Sequence, residues 1–174
     1  MKRITILFLM TLGAAFACQA CWAQGLPSNF QMSVVLDRAH GDVVARGQYN
    51  RAILRISPHS TRFPYASATN LCVAHTMVGQ FKNAEYYCDK ALEEAEKAAA
   101  KGREKSRDYT AEWALAYSNR GVLRARRGDN EGASEDFRMA IEKQSASELP
   151  IHNMALLSQS SSDVIAQLEE ENEE

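Results

Sequence analysis

Residues 70–92 read NLCVAHTMVGQFKNAEYYCDKAL and residues 119–141 read NRGVLRARRGDNEGASEDFRMAI, and the two stretches align without a gap. Asn70 falls on Asn119, Cys72 on Gly121, Gly79 on Gly128, Ala84 on Ala133, Cys88 on Phe137 and Ala91 on Ala140. The spacing predicts one helix that ends at the glycine, a short polar turn, and a second helix that returns antiparallel to the first. Small residues at Cys72 or Gly121 and at Ala84 or Ala133 let the two backbones approach closely, while Phe137 and the later alanines fill the seam. Gly128, Asp129 and Asn130 end one helix and offer a side-chain cap to the next. Arg127-Gly128-Asp129, an adhesion signal in other settings, falls on the turn at Gly79, and turn chemistry accounts for it without adhesion.

The pattern extends in both directions. Downstream, NMALL begins at Asn153, 34 residues after Asn119, but SQSSSD contains no glycine turn, so a third unit keeps only its first helix. Ser161 or Ser162 is then expected to cap a last helix that runs into the acidic tail. Upstream, GQYNRAILRI from Gly47 copies GQFKNAEYYC from Gly79, preceded by a segment that Gly41 interrupts, which gives a degenerate leading unit. Asn70 and Asn119 are 49 residues apart. The excess over 34 is expected in EKAAAKGREKSRDYTA, a helix-forming stretch that lengthens the second helix of one unit and the first of the next. Pro58 and Pro64 bracket a loop, and Pro150 marks entry to the third unit.

The motif residues Asn119-Arg120-Gly121, Gly128-Asp129, Ala133, Phe137 and Ala140, their counterparts Leu71, Gly79, Ala84 and Ala91, and the 34-residue step from Asn119 to Asn153 together resemble the tetratricopeptide repeat family. The resemblance implies an all-α fold of helix-turn-helix repeats stacked as a short right-handed solenoid. It also implies a concave face, formed by the first helices, that holds an extended peptide or a partner helix, with no catalysis. The expected organisation is a signal peptide over 1–23, a partly helical N-terminal segment over 24–46, repeats over 47–160, and a capping helix with acidic tail over 161–174.

Asn70, Asn119 and Asn153 recur at one place in successive first helices, where each amide offers a donor and an acceptor to a peptide backbone or to neighbouring helices. Val73, Val122 and Leu156 follow three residues on, with Met77 and Arg126 a further turn along, so these eight residues are the candidate partner-binding set. Some family members grip C-terminal carboxylates with lysine and arginine on this face; Thr69 and Val73 stand where the first-unit basic residue and its amide partner belong, so that activity is not expected. Arg120, Arg124, Arg126 and Arg127 form a basic cluster that reads either as a solvated face or as a partner surface. Cys72 and His75 lie three apart on one helix but lack an orienting group, and His40, His59, His75 and His152 show no metal-ligand spacing. No catalytic residue, metal or cofactor is expected.

The 174-residue chain carries a formal net charge of -2 and a pI near 6.1, which leaves no basic field for nucleic acid. Lys2 and Arg3, an apolar run from Ile4 to Ala17, and small residues to Ala23 have the order of a secretory signal, with cleavage expected after Ala23. The run is too short for a membrane span, so no integral membrane segment is expected in the mature chain. Lipidation at Cys18 or Cys21 is the minor alternative. Export to the periplasm or outside leaves Cys72 and Cys88 as a disulfide candidate, because a small residue on one helix faces a larger one on the next.

The leading expectation is therefore an exported adaptor that binds a protein or peptide in its concave groove. The alternative is a structural subunit of a cell-envelope assembly that binds no free peptide. An open apolar groove favours the first, and a groove plugged by residues 24–45 or by the last helix favours the second.

Overall fold

The computed structural model describes residues 30–36, 38–103, 109–144 and 147–171, so the expected signal segment lies outside the described residues. Helices α1 (Gly41–Ala45), α2 (Tyr49–Arg55), α3 (Pro64–Met77), α4 (Phe81–Arg103), α5 (Thr110–Arg126), α6 (Asn130–Lys143) and α7 (Glu148–Glu171) follow an extended segment, Phe30–Leu36. Among the described residues there is no strand, and no helix is long and apolar enough to cross a membrane.

Each helix pair is set by its turn. Gly47, Gly79 and Gly128 take φ of 72°, 74° and 81°, the left-handed region that a side chain resists, and so α1, α3 and α5 each end at the same glycine. Asp129 caps α6 by accepting the Gly132 N–H at 2.9 Å, while Arg127 pairs with Glu85 at 2.9 Å. Both charged members of the Arg127-Gly128-Asp129 turn are thus engaged within the fold. Pro64 opens α3, where its missing N–H costs nothing. The charged stretch lengthens both neighbours: α4 has 23 residues against 14 in α6, and α5 has 17 against 14 in α3.

Helices pack on their neighbours in chain order, α3 on α4, α4 on α5, α5 on α6 and α6 on α7, with α5 also touching α3 and α7. The two aligned pairs solve the same close contact in different ways. In α5–α6 the bare backbone of Gly121 lies under the Phe137 ring, and a Cβ there would come within 2.6 Å of it. In α3–α4 the same positions hold a disulfide between Cys72 and Cys88, both fully buried, with Cα atoms 4.8 Å apart. Gly121→Ala should therefore cost about 2 kcal/mol, because Phe137 is fully buried and cannot swing away. Urea unfolding should show that loss, and a Gly121→Ala, Phe137→Leu double variant should recover part of it.

Two local expectations differ from what is observed. The leading unit has short helices, and α1 is only five residues long. Gly41 interrupts no helix but opens α1, and a Cβ there would collide with the Val35 carbonyl, so the glycine lets the extended segment pass over α1. The serine run does not start a new helix either, since α7 continues through it to Glu171. Ser158 donates to the Met154 carbonyl at 3.1 Å, Ser160 to Leu157 at 2.8 Å and Ser162 to Ser158 at 3.1 Å. Hydroxyls that bond back along the preceding turn have no need to act as caps.

Candidate functional site: the asparagine row

Asn70, Asn119 and Asn153 stand on α3, α5 and α7, nearly or fully buried, and every one of them brackets a residue of the extended segment. Asn153 accepts the Gln31 N–H at 2.9 Å and donates to the Gln31 carbonyl at 2.8 Å. Asn119 does the same with Ser33, at 2.7 and 2.9 Å. Asn70 accepts the Val35 N–H at 3.0 Å and donates to the carbonyls of Val35, Arg38 and Ala39 at 3.1, 3.0 and 3.2 Å. A primary amide has one acceptor oxygen and a donor nitrogen side by side, so it matches the N–H and C=O that one extended residue turns to the same edge. Alternate residues of extended chain lie about 6.7 Å apart, a step that converging side chains on successive helices can meet. The segment runs from α7 towards α3, opposite to the order of the helices.

The intervening residues fill the floor. Phe30 stacks on Phe137 with ring centroids 6.3 Å apart, and both pack with Val122, Ala125, Ala133 and Leu157. Met32 reaches that cluster and the Cys72–Cys88–Leu123 cluster, and Val34 packs against Val44, Val73 and their neighbours. Val73 and Val122 are thus buried floor residues, while Leu156 is half-buried and its neighbour Leu157 takes the core position. Met77 lines an open cavity of about 500 Å³ together with Phe30, Met32, Val34, Val44 and Tyr49. Arg126 donates to the Met77 sulfur at 3.3 Å.

The basic cluster is largely spent inside the fold. Arg120 grips the buried Asp136 with two bonds of 2.8 and 2.9 Å and also reaches Asp89, and Arg124 lies 3.1 Å from Asp136. Arg126 is the member with no carboxylate partner among the described residues. Cys72 is disulfide-bonded and unavailable as a nucleophile, and His75 stacks on Tyr87 and meets Gln80 at 2.7 Å. Burial lowers the His75 pKa, with the Gln80 bond opposing. No group of acidic, histidine or cysteine side chains suited to a metal occurs among the described residues. The amides were legible in the sequence, and residues 24–45 as one of two possible plugs of the groove, but not which residues the amides hold, although Phe30, Met32 and Val34 alternating with Gln31 and Ser33 carry the period-2 signal of extended chain. No protein-family model, curated protein or solved structure matches the chain.

Proposed function

We propose that the protein is an exported interaction subunit, a tetratricopeptide-type helix-pair module that keeps its asparagine row for its own residues 31–35. It meets a partner protein with the surface that remains. The bracketing of Gln31, Ser33 and Val35 by Asn153, Asn119 and Asn70 carries this reading. An amide already saturated by its own chain offers a free peptide nothing until that chain leaves, and leaving exposes six backbone groups and the apolar floor. The occupied row thus supports the structural-subunit alternative over an adaptor that takes free peptides along it. A short right-handed stack of repeats in the periplasm or outside the cell remains part of the proposal. The buried Cys72–Cys88 bridge, which an oxidising compartment preserves, supports that location.

The experiment is affinity capture from the cell envelope with identification by mass spectrometry, followed by amide exchange on the captured complex. The expected result is a stoichiometric partner bound while the Ser33 and Val35 amides stay protected. Release of those amides in the complex would favour the adaptor reading, and absence of any stoichiometric partner would count against both.

A further inference from the structure

The extended segment has two edges, and the asparagines use only one. The N–H and C=O of Met32 and Val34 make no hydrogen bond to any described residue, although the same groups of Ser33 and Val35 are fully engaged. Met32 and Val34 both line the open cavity, whose lining also includes Val44, Tyr49, Val73 and Met77. Unpaired backbone donors and acceptors repeating every second residue are the template for another extended chain, not for a helix or a small molecule. At the Met77 side of this cavity stands Arg126, bonded to the Met77 sulfur, the cation of its cluster that no carboxylate neutralises among the described residues.

We propose that an extended segment of a partner protein adds to the free edge of residues 30–36. It pairs with the backbone of Met32 and Val34, lays alternate apolar side chains into the cavity, and sets a carboxylate against Arg126. This rests on the reading that residues 31–35 stay seated when the partner binds. The edge supplies two donors and two acceptors, enough to fix register, and the cavity and Arg126 supply preference.

The test uses the whole chain and a synthetic probe, the capped heptapeptide Ac-TVTVDVT-amide, read by NMR amide exchange. Saturating probe should slow exchange of Met32 and Val34 at least tenfold while Ser33 and Val35 stay as slow as before. N-methylation of the probe along one edge should abolish binding, and along the other should leave it intact. A lysine in place of the probe's aspartate, or Arg126→Gln in the protein, should weaken binding about threefold, the scale of an exposed ion pair. Val34→Pro removes one edge donor, along with the Val34 packing on Val44 and Val73, and with Ser33 and Val35 still slow to exchange it should weaken binding about tenfold.

Faster exchange at Ser33 and Val35 would mean that the probe displaces the segment, and would overturn the proposal. So would indifference to N-methylation on either edge, or no binding of the probe. Protection of Met32 and Val34 that rises with protein concentration alone would assign the edge to a second copy, again against the proposal. If these fail while a captured partner still leaves Ser33 and Val35 protected, the subunit reading stands and only the docking edge is lost.

Discussion

Asn119→Ala is expected to lower stability by about 3 kcal/mol and to loosen residues 31–35 from the helices. Asn119 is 1% exposed and Ser33 is half-buried, so their two bonds are shielded from water on the helix side. Removing the side chain leaves an N–H and a C=O without partners, and each costs about 1 to 3 kcal/mol when water cannot replace the bond. Asn119 is also the middle of the row, so its loss weakens the anchoring of Gln31 and Val35 on either side. Asn119→Asp separates amide geometry from packing. The carboxylate still accepts from the Ser33 N–H, yet it faces the Ser33 carbonyl with no donor, so this near-isosteric variant should be nearly as unstable. Urea unfolding checks both variants, and a loss below about 1 kcal/mol for either would mean that the row does not hold the segment.

Reduction of the Cys72–Cys88 bridge should cost about 3 kcal/mol, which for a domain of this size is a fall in Tm of roughly 10 °C. The bridge closes a loop with a sequence separation of 16 residues and joins α3 to α4 where the two cysteine Cα atoms stand 4.8 Å apart. It also sits in the cluster that Leu123 and Met32 share, so it ties the floor beneath the extended segment to the second helix of the pair. Unlike the α5–α6 pair, where Phe137 fills the seam, α3–α4 has no large side chain there to substitute for it. Melting with and without reductant measures the effect, and a non-reduced digest should yield the Cys72 and Cys88 peptides joined. Equal melting temperatures would show that packing alone holds the pair.

The helix pairs and their bridge were legible in the sequence because each rests on local chemistry. Gly79 and Gly128 mark left-handed turns, and the alignment of Cys72 and Cys88 with Gly121 and Phe137 places both sulfurs at a close contact. The asparagines were legible as a row of amides, because the alignment of the units puts them at one place in α3, α5 and α7. The residues they hold were legible only as one of two candidate plugs, 24–45 or the last helix, because Asn153 and Gln31 are 122 residues apart and no local pattern encodes that pairing. The alternation from Phe30 to Val34 was present but short, and one such run in a chain whose repeats read as helices carries little weight. The serine run was misleading for a related reason, since serine is a cap only when its hydroxyl turns forward to an N–H and not back to a carbonyl.

Amide exchange across residues 31–35 of the unbound protein tests the account most directly. The asparagine row predicts an alternating record, with Gln31, Ser33 and Val35 slow and Met32 and Val34 fast, since only the first three N–H groups have acceptors. Uniformly fast exchange through the five residues would contradict it.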